Sequence, residues 1–485
     1  MLPKDKDLIL QQKVKLYNNI AKINDCEGRL LTELEIYPTP RIIWEFEMLG
    51  NVQCNFPSLS FDSNTTTPLI GQCFSIEQPI CTGDSHNIVG PVRARRGAAT
   101  QAVYGHIDDT AHGFIFYLPN TRFQYKSMRQ KRLVKTLKEV GTNTEVGSEN
   151  GGRYIQSSVN DIWSIRLDIR TDALNWLDPQ NRNIGTLITT IGTLSQPKYK
   201  SIEPETFSEL QTITLSNALQ QLKHLCLFLS YANGGYIGPL YIEGYKYTQN
   251  RLHPIQTSCA VALAFQTTPL EQLSSSWVTV DSDLKVYMEC FPAFERMMQN
   301  PTWRETIDFI LTQYFQATRP MMTWQVVASA IGAALERLSY TLLVEEETNA
   351  ARKANCELLF AIENKQRQEA QRRWNLGKNL GQENITVTGK RLRLLLERIG
   401  LTKSKEYNDI DNVPSFLEVR NDAVHPRVGS MTIEQRWKLI KQAIQWIDEV
   451  LLWRLGYGSK YLDRTQQWES STLPRYDLSL RDSSW

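Results

Sequence analysis

Arg420 and Asn421 stand five and four residues ahead of His425, in the segment Phe416-Leu-Glu-Val-Arg-Asn-Asp-Ala-Val-His-Pro. His425 is also the only histidine after His253. An imidazole moves protons near neutral pH. A guanidinium carries a permanent charge and a fork of donors that fits a phosphate. With an amide beside them, these groups suit cleavage of RNA, whose 2′-hydroxyl is a nucleophile already in place. On a helix Asn421 and His425 share a face, while Arg420 is turned by about 100° from Asn421. Pro426 biases His425 away from helical dihedrals, which puts the imidazole at a helix end within reach of substrate. The plainer reading is a surface arginine and histidine closing a short helix.

Helices are expected on both sides of this segment. Trp324, Val327, Ala328, Ile331, Ala334, Leu335, Leu338 and Leu342 recur at helix spacing. Glu336, beside that stripe, reads as a solvated helix-edge carboxylate, with a pairing to Arg420 as the alternative. The charged run 345–373 is expected to continue as a second helix, followed by a loop over 377–388 and a turn or more of amphipathic helix over 390–399. Thr432 and Gln435 have the spacing of a capping box. The helix they open carries Ile433, Trp437, Ile440, Ile444, Ile447, Leu451 and Leu455 and stops at Gly456. So long a one-sided stripe needs a partner surface, inside a bundle or across a dimer.

Ahead of Pro301 the signals are strand-like. The runs 41–48, 113–118, 162–169 and 241–247 are short, aromatic and β-branched, with partial alternation. Turn material lies at 60–68 and 141–152, the second long enough for a mobile loop open to proteases. One helix, 206–231, interrupts the strands and ends at Gly234-Gly235. The fold class is therefore α+β, with a β-rich domain and its packed helix over 1–300. A helical domain over 301–462 and a loosely held polar tail over 463–485 follow.

The chain has 485 residues, 41% hydrophobic and 22% charged, with a net charge of +2. That is the composition of a soluble protein of two or three domains. No signal peptide is visible, and the apolar run 324–344 suits a buried helix better than a membrane span. The eight cysteines are scattered without a CxxC pair, so structural zinc and redox motifs are excluded and the expected compartment is the cytoplasm. Basic stretches at 122–138 and 352–405 could attract a phosphate backbone, although a solvated helix face explains each one alone. A rival constellation, His106-Ile-Asp108-Asp109-Thr-Ala-His112, could ligate a divalent metal; a polar hairpin turn is the preferred reading. Arg93-Ala-Arg95-Arg96 before Gly97 is a candidate anion loop. Walker, Rossmann and GxSxG fingerprints are absent.

The C-terminal third resembles the ApeA-like HEPN family of anti-phage defence proteins. The resemblance rests on Ala333-Ala-Leu-Glu-Arg-Leu, on the 416–426 segment, and on Trp446-Ile-Asp-Glu-Val-Leu-Leu-Trp-Arg-Leu-Gly-Tyr. A weaker echo runs from Leu225 to Leu240. The resemblance implies a HEPN-like helical bundle that forms a homodimer, so that two motifs face one another in a cleft. It implies metal-independent cleavage of an RNA substrate, with Arg420, Asn421 and His425 as catalytic residues and no cofactor. It also implies that the N-terminal domain senses or regulates, with a phage-derived molecule as its trigger. The alternative keeps the fold and removes the catalysis, leaving a dimerisation or nucleic-acid-binding module joined to a ligand-sensing β domain.

Overall fold

The computed structural model describes residues 13–23, 26–36, 40–48, 69–71, 74–77, 80–81, 94–99, 101–121, 144–149, 152–158, 163–169, 186, 188–196, 210–248, 255–264, 267–269, 272–273, 277, 283–374, 386–401, 412–425, 431–466 and 480–481. The turn expected at 60–68 and the basic stretch 122–138 lie outside them. The chain is mixed α+β and divides into two compact units, Met1–Gln272 and Leu273–Trp485.

The first unit is built on an antiparallel sheet. Its strands are β1 (Lys13–Ile23), β2 (Cys26–Glu35), β3 (Arg41–Met48), β4 (Leu69–Gly71), β5 (Phe74–Glu77), β6 (Ile80–Cys81), β7 (Ala94–Ala99), β8 (Gln101–Tyr104), β10 (Gly113–Pro119), β11 (Thr144–Glu149), β12 (Gly152–Ser158), β13 (Ser164–Ile169), β14 (Ile188–Ser195), β16 (Tyr241–Tyr247) and β17 (Ile255–Leu263). They lie in the order β11-β12-β13-β14-β10-β16-β17-β8-β5-β4-β1-β2-β3-β7-β6. The short strands β9 (Thr110–Ala111) and β15 (Ile213–Thr214) pair separately. All four sequence-predicted strands are present. Within the mobile loop expected at 141–152, residues 144–149 form β11, paired residue by residue with β12. Glu149 pairs with Gly152, and the polar residues on either side are strand. Likewise Arg95, Arg96 and Gly97 lie in β7 between β3 and β6, and not in an anion loop.

Helix α1 (Leu215–Asn233) runs alongside β10. Its first residues donate to the turn before that strand, Leu215 N to Asp109 O and Ser216 N to Ile107 O, each at 2.9 Å. At its other end Asn233 donates to the carbonyl of Asn120, just past β10, at 3.1 Å. Ala218, Leu222, Leu225, Phe228 and Leu229 form its buried face, and Phe114, Phe116 and Leu118 of β10 are wholly buried. Gly192 on β14 faces Phe116, and a Cβ there would fall 2.0 Å from the phenyl ring. The helix begins at Leu215 and not at 206, because Ile213 and Thr214 pair with β9 and the Thr214 side chain caps Asn217. It ends as expected, with Gly234 in the left-handed conformation that costs glycine nothing.

The second unit is helical: α2 (Asp283–Glu289), α3 (Phe291–Gln299), α4 (Pro301–Thr318), α5 (Trp324–Tyr340), α6 (Ala350–Leu359), α7 (Asn364–Arg373), α8 (Val387–Arg398), α9 (Val413–Val424) and α10 (Ile433–Leu455). It starts ahead of Pro301 because Trp277 is fully buried, edge-on to Tyr287 and Tyr457 at 5.0 and 5.3 Å. Proline at the first position of α4 opens a helix within the unit and does not open the unit. Helix α5 is the hub, packed against α4, α8, α9 and α10. Together with the π-turn Thr341–Glu345 it is the one helix among the described residues long and apolar enough to cross a membrane, and 67% of its most apolar stretch is buried within the unit. The run after α5 breaks at Phe360–Glu363 into α6 and α7, where one helix was expected. Three successive glutamates tie that turn to its neighbours. Glu345 takes Arg337 at 3.4 Å, Glu346 takes Trp303 on α4 and Arg454 on α10 at 2.5 and 2.7 Å, and Glu347 takes Arg352 and Arg398.

The polar tail is not loosely held where it is described. Arg464 meets Asp448 of α10 at 2.5 Å and also reaches the Tyr314 hydroxyl, which donates to Asp448 at 2.6 Å. Strand β18 (Tyr461–Leu462) pairs with β19 (Leu480–Arg481). That pairing brings Arg481, 1% exposed, to Glu449 at 2.8 Å and to Asp463 at 3.0 Å. Composition alone reads such a segment as surface, because the apolar cover and the matching carboxylates come from elsewhere in the chain.

Two outcomes follow for stability. Arg481→Met strips a buried cation from Glu449 and Asp463 and should lower the unfolding free energy by about 3–5 kcal/mol; a loss under about 1 kcal/mol in urea titration would contradict this arrangement. Burial pushes the Glu295 carboxyl up to about 7. The folded state then keeps a proton that the unfolded chain releases, so stability falls as pH rises from about 4.5 to about 7. Glu295→Gln should flatten this slope, raising the urea midpoint above pH 7 and leaving it near wild type below pH 4.5.

Candidate active site

Helix α9 carries the motif, with Pro414 in its first turn and Phe416, Leu417 and Val419 turned inward. Arg420 and Asn421 lie in its last turn. His425 closes it with φ −119° and ψ 88°, its amide donating to the Asn421 carbonyl at 2.8 Å. The departure from helical geometry is the one Pro426 imposes. The imidazole is exposed and makes no hydrogen bond among the described residues.

Arg420 is held more firmly. Its stem crosses Gly332 on α5, where a Cβ would stand 2.9 Å from Arg420 Cγ. Its guanidinium donates to Glu336 Oε1 at 3.3 Å and to Asn421 Oδ1 at 3.3 Å. Glu336 is therefore paired and not simply a solvated helix-edge carboxylate, although its side chain remains 34% exposed. The Asn421 amide oxygen is turned to Arg420, so the histidine and the Arg420–Asn421 pair are separate features of one helix end. Gly332 and Glu336 are four apart on α5 and form the surface that receives Arg420. A glycine one turn before a carboxylate, in an otherwise apolar helix, is the sequence signal that could have found them.

An ion pair fixes this helix end to its neighbours. Arg436, in the first turn of α10, meets Asp422 at 3.4 Å, with side chains only 12% and 11% exposed. The same guanidinium lies 4.4 Å from the ring centroid of Trp324, the first residue of α5. The end of α9 is thus pinned where α5 and α10 begin. The capping box that starts α10 is present in full, Gln435 N donating to Thr432 Oγ1 at 3.2 Å and Thr432 N to Gln435 Oε1 at 2.9 Å.

The rival constellation in the first unit is a turn. His106 N donates to Asp109 Oδ2 at 2.7 Å, and Asp108 N to His106 Nδ1 at 3.3 Å. His112 Nδ1 accepts from Tyr247 N at 3.0 Å, which engages a lone pair a metal would need. Burial, then the Lys246 charge, lowers the His112 pKa. No grouping of three histidine, cysteine or acidic side chains that could hold a metal ion occurs among the described residues.

Comparison with known proteins bears on the second unit. Residues 300–474 match the YopA C-terminal domain family. No curated protein and no solved structure matches the chain. The stretch similar to the YopA C-terminal domain takes in α4 to α10, and with them Glu336 and all of Arg420, Asn421 and His425. It stops short of Arg481.

The Arg420–Gly332 contact has a measurable consequence. Gly332→Ala gains about 1 kcal/mol of helix propensity, and the flexible Arg420 stem gives way, so net stability should change by no more than about 1 kcal/mol. Gly332→Val adds bulk that the stem cannot clear and should cost about 1–3 kcal/mol. Urea denaturation of both variants checks the pair. A valine variant as stable as wild type would mean that Arg420 does not rest on α5.

Proposed function

We propose that the second unit is a HEPN-type, metal-independent endoribonuclease serving anti-phage defence. The observation carrying this reading is an exposed imidazole at a helix end, one turn beyond an arginine that a glycine and a carboxylate hold in place. The ribose 2′-oxygen attacks the adjacent phosphorus, and its proton passes to the imidazole of His425 acting as general base. The bond from phosphorus to the 5′-oxygen breaks, and an imidazolium protonates that oxygen. The products are a 2′,3′-cyclic phosphate and a free 5′-hydroxyl. Arg420 neutralises charge growing on the phosphoryl oxygens, exchanging Glu336 for phosphate as substrate binds. Asn421 holds the guanidinium through the contact they already make.

A homodimer fits this chemistry, because one histidine can take the first proton while its two-fold mate supplies the second. Val424 and Ile433, 46% and 66% exposed, flank the Asp422–Arg436 junction and offer apolar surface for a second copy. In this reading the β-rich unit restrains the enzyme until a phage-derived molecule binds it, since an unrestrained ribonuclease would damage its own cell. The pairing of Arg420 with Glu336 also favours a second reading, a binding and dimerisation module with its phosphate-sized position already filled.

One set of reactions separates the two. His425→Ala and Arg420→Ala should each slow RNA cleavage by about 10²–10⁴ with the fold unchanged. Wild-type cleavage should survive EDTA, leave 2′,3′-cyclic phosphate ends and fail on a substrate with 2′-deoxyribose at the cut. Full activity in the His425→Ala protein, or loss of wild-type activity to EDTA, rules this mechanism out.

A further inference from the structure

We propose that the face built from α6, α7 and α8 is a track for single-stranded RNA that leads to Arg420, a proposal that takes its ligand class from the ribonuclease reading. The charge is one-sided. Helix α7 carries Lys365, Arg367, Arg372 and Arg373 against Glu369 alone, and α8 carries Lys390, Arg391, Arg393 and Arg398 against Glu397 alone. Some of these cations are spoken for, Arg398 by Glu347 and Arg373 by Glu369. Lys365, Arg367 and Lys390 pair with no carboxylate among the described residues.

Aromatic rings alternate with the cations. Arg391 Cζ lies 4.2 Å from the centroid of Phe360, and Lys390 Nζ lies 5.2 Å from that of Trp374. Phe360 is itself edge-on to Tyr340 at 5.0 Å. All three rings are partly exposed. The guanidinium groups are anchored: Arg391 Nε donates to the Leu359 carbonyl at 2.7 Å and Arg367 Nε to that of Ala361 at 3.1 Å. An anchored guanidinium lying on a ring gives a base a flat, charged surface to stack on, while unpaired cations beside it take the phosphates. Ring-backed cations of one sign suit a strand with unstacked bases better than a duplex, which would offer only its backbone.

The track has a direction. Arg367 and Arg391 donate to the Ala361 and Leu359 carbonyls on either side of Phe360, whose ring is edge-on to Tyr340, four residues after Glu336 on α5. Glu336 in turn binds Arg420. The order Arg367, Phe360 with Arg391, Tyr340, Glu336, Arg420 therefore runs from an exposed basic helix to the motif, all within one compact unit.

The test uses the full-length His425→Ala protein, a labelled oligouridylate and fluorescence anisotropy over a range of salt. Arg367→Glu with Lys390→Glu should weaken binding by about tenfold or more. It should also reduce the slope of log affinity against log salt by about 1.4, the value for two lost single-strand phosphate contacts. Trp374→Ala should weaken binding by about tenfold through lost stacking. Arg367→Gln with Lys390→Gln, milder at exposed positions, should move affinity and slope in the same direction. In the otherwise wild-type chain, the same track substitutions should raise KM for RNA and leave kcat unchanged. Unchanged affinity and slope in all variants overturn the track, even if wild type cleaves RNA. Equal binding of duplex DNA or of anionic lipid vesicles overturns the single-strand assignment. Salt-dependent oligouridylate binding that the variants weaken, with no wild-type cleavage, keeps the track and removes the ribonuclease reading.

Discussion

Helix α5 must be small and apolar on nearly every side, because four other helices rest on it. Ala328, Ile331, Ala334, Leu335 and Leu338 are buried to within a few per cent. Such a helix can carry a charge only where a neighbour answers it. Glu336 meets Arg420, and Arg337 meets Glu345 and the Thr306 hydroxyl. At Gly332 the lack of a side chain leaves room for the Arg420 stem. The position of Arg420 is thus a consequence of core packing, and the motif helix has little freedom to place it elsewhere. In a site built on helices, the packing that stabilises the bundle also orients the groups it presents.

The other end of the unit is organised by buried charge. Asp448 and Glu449 face inward from α10 and are answered by Arg464 and Arg481. Ion pairs of this kind add little net stability over an apolar substitute, because desolvation cancels most of the attraction. Their effect is selective. A carboxylate pair buried in α10 leaves one acceptable docking for the following chain, the one that returns two arginines to it. The same logic explains why Tyr461–Leu462 and Leu480–Arg481 pair beyond the last helix.

The first unit solves a different problem, an extended antiparallel sheet whose strands β10, β14 and β16 need cover. Helix α1 is tied at both ends to the residues that flank β10. Tyr247, at the end of β16, holds the ring nitrogen of His112 just before β10. Polar groups near that strand are consumed in fixing its connections, which is why a cluster of histidines and aspartates there makes a turn.

How much was legible in the sequence follows from the range of the forces concerned. Periodicity, capping and turn residues act over a few positions. They marked the strands at 41–48, 113–118 and 241–247, the stop at Gly234, the capping box at Thr432 and the exit of His425 from its helix before Pro426. Motif spacing placed Arg420 and Asn421 together for the same reason. Local signals misled where a distant partner decided. Thr214 moved the start of α1, strand pairing absorbed the polar run 144–149, and Trp277 drew the residues before Pro301 into the helical unit. Glu336 and Arg420 are far apart in the chain, and their meeting depends on helices crossing at Gly332. Arg481 is buried because α10 and residue Asp463 supply its counter-charges. Residue type and local spacing are written in the chain; which charges meet, and which are withdrawn from water, is settled only when separate segments pack.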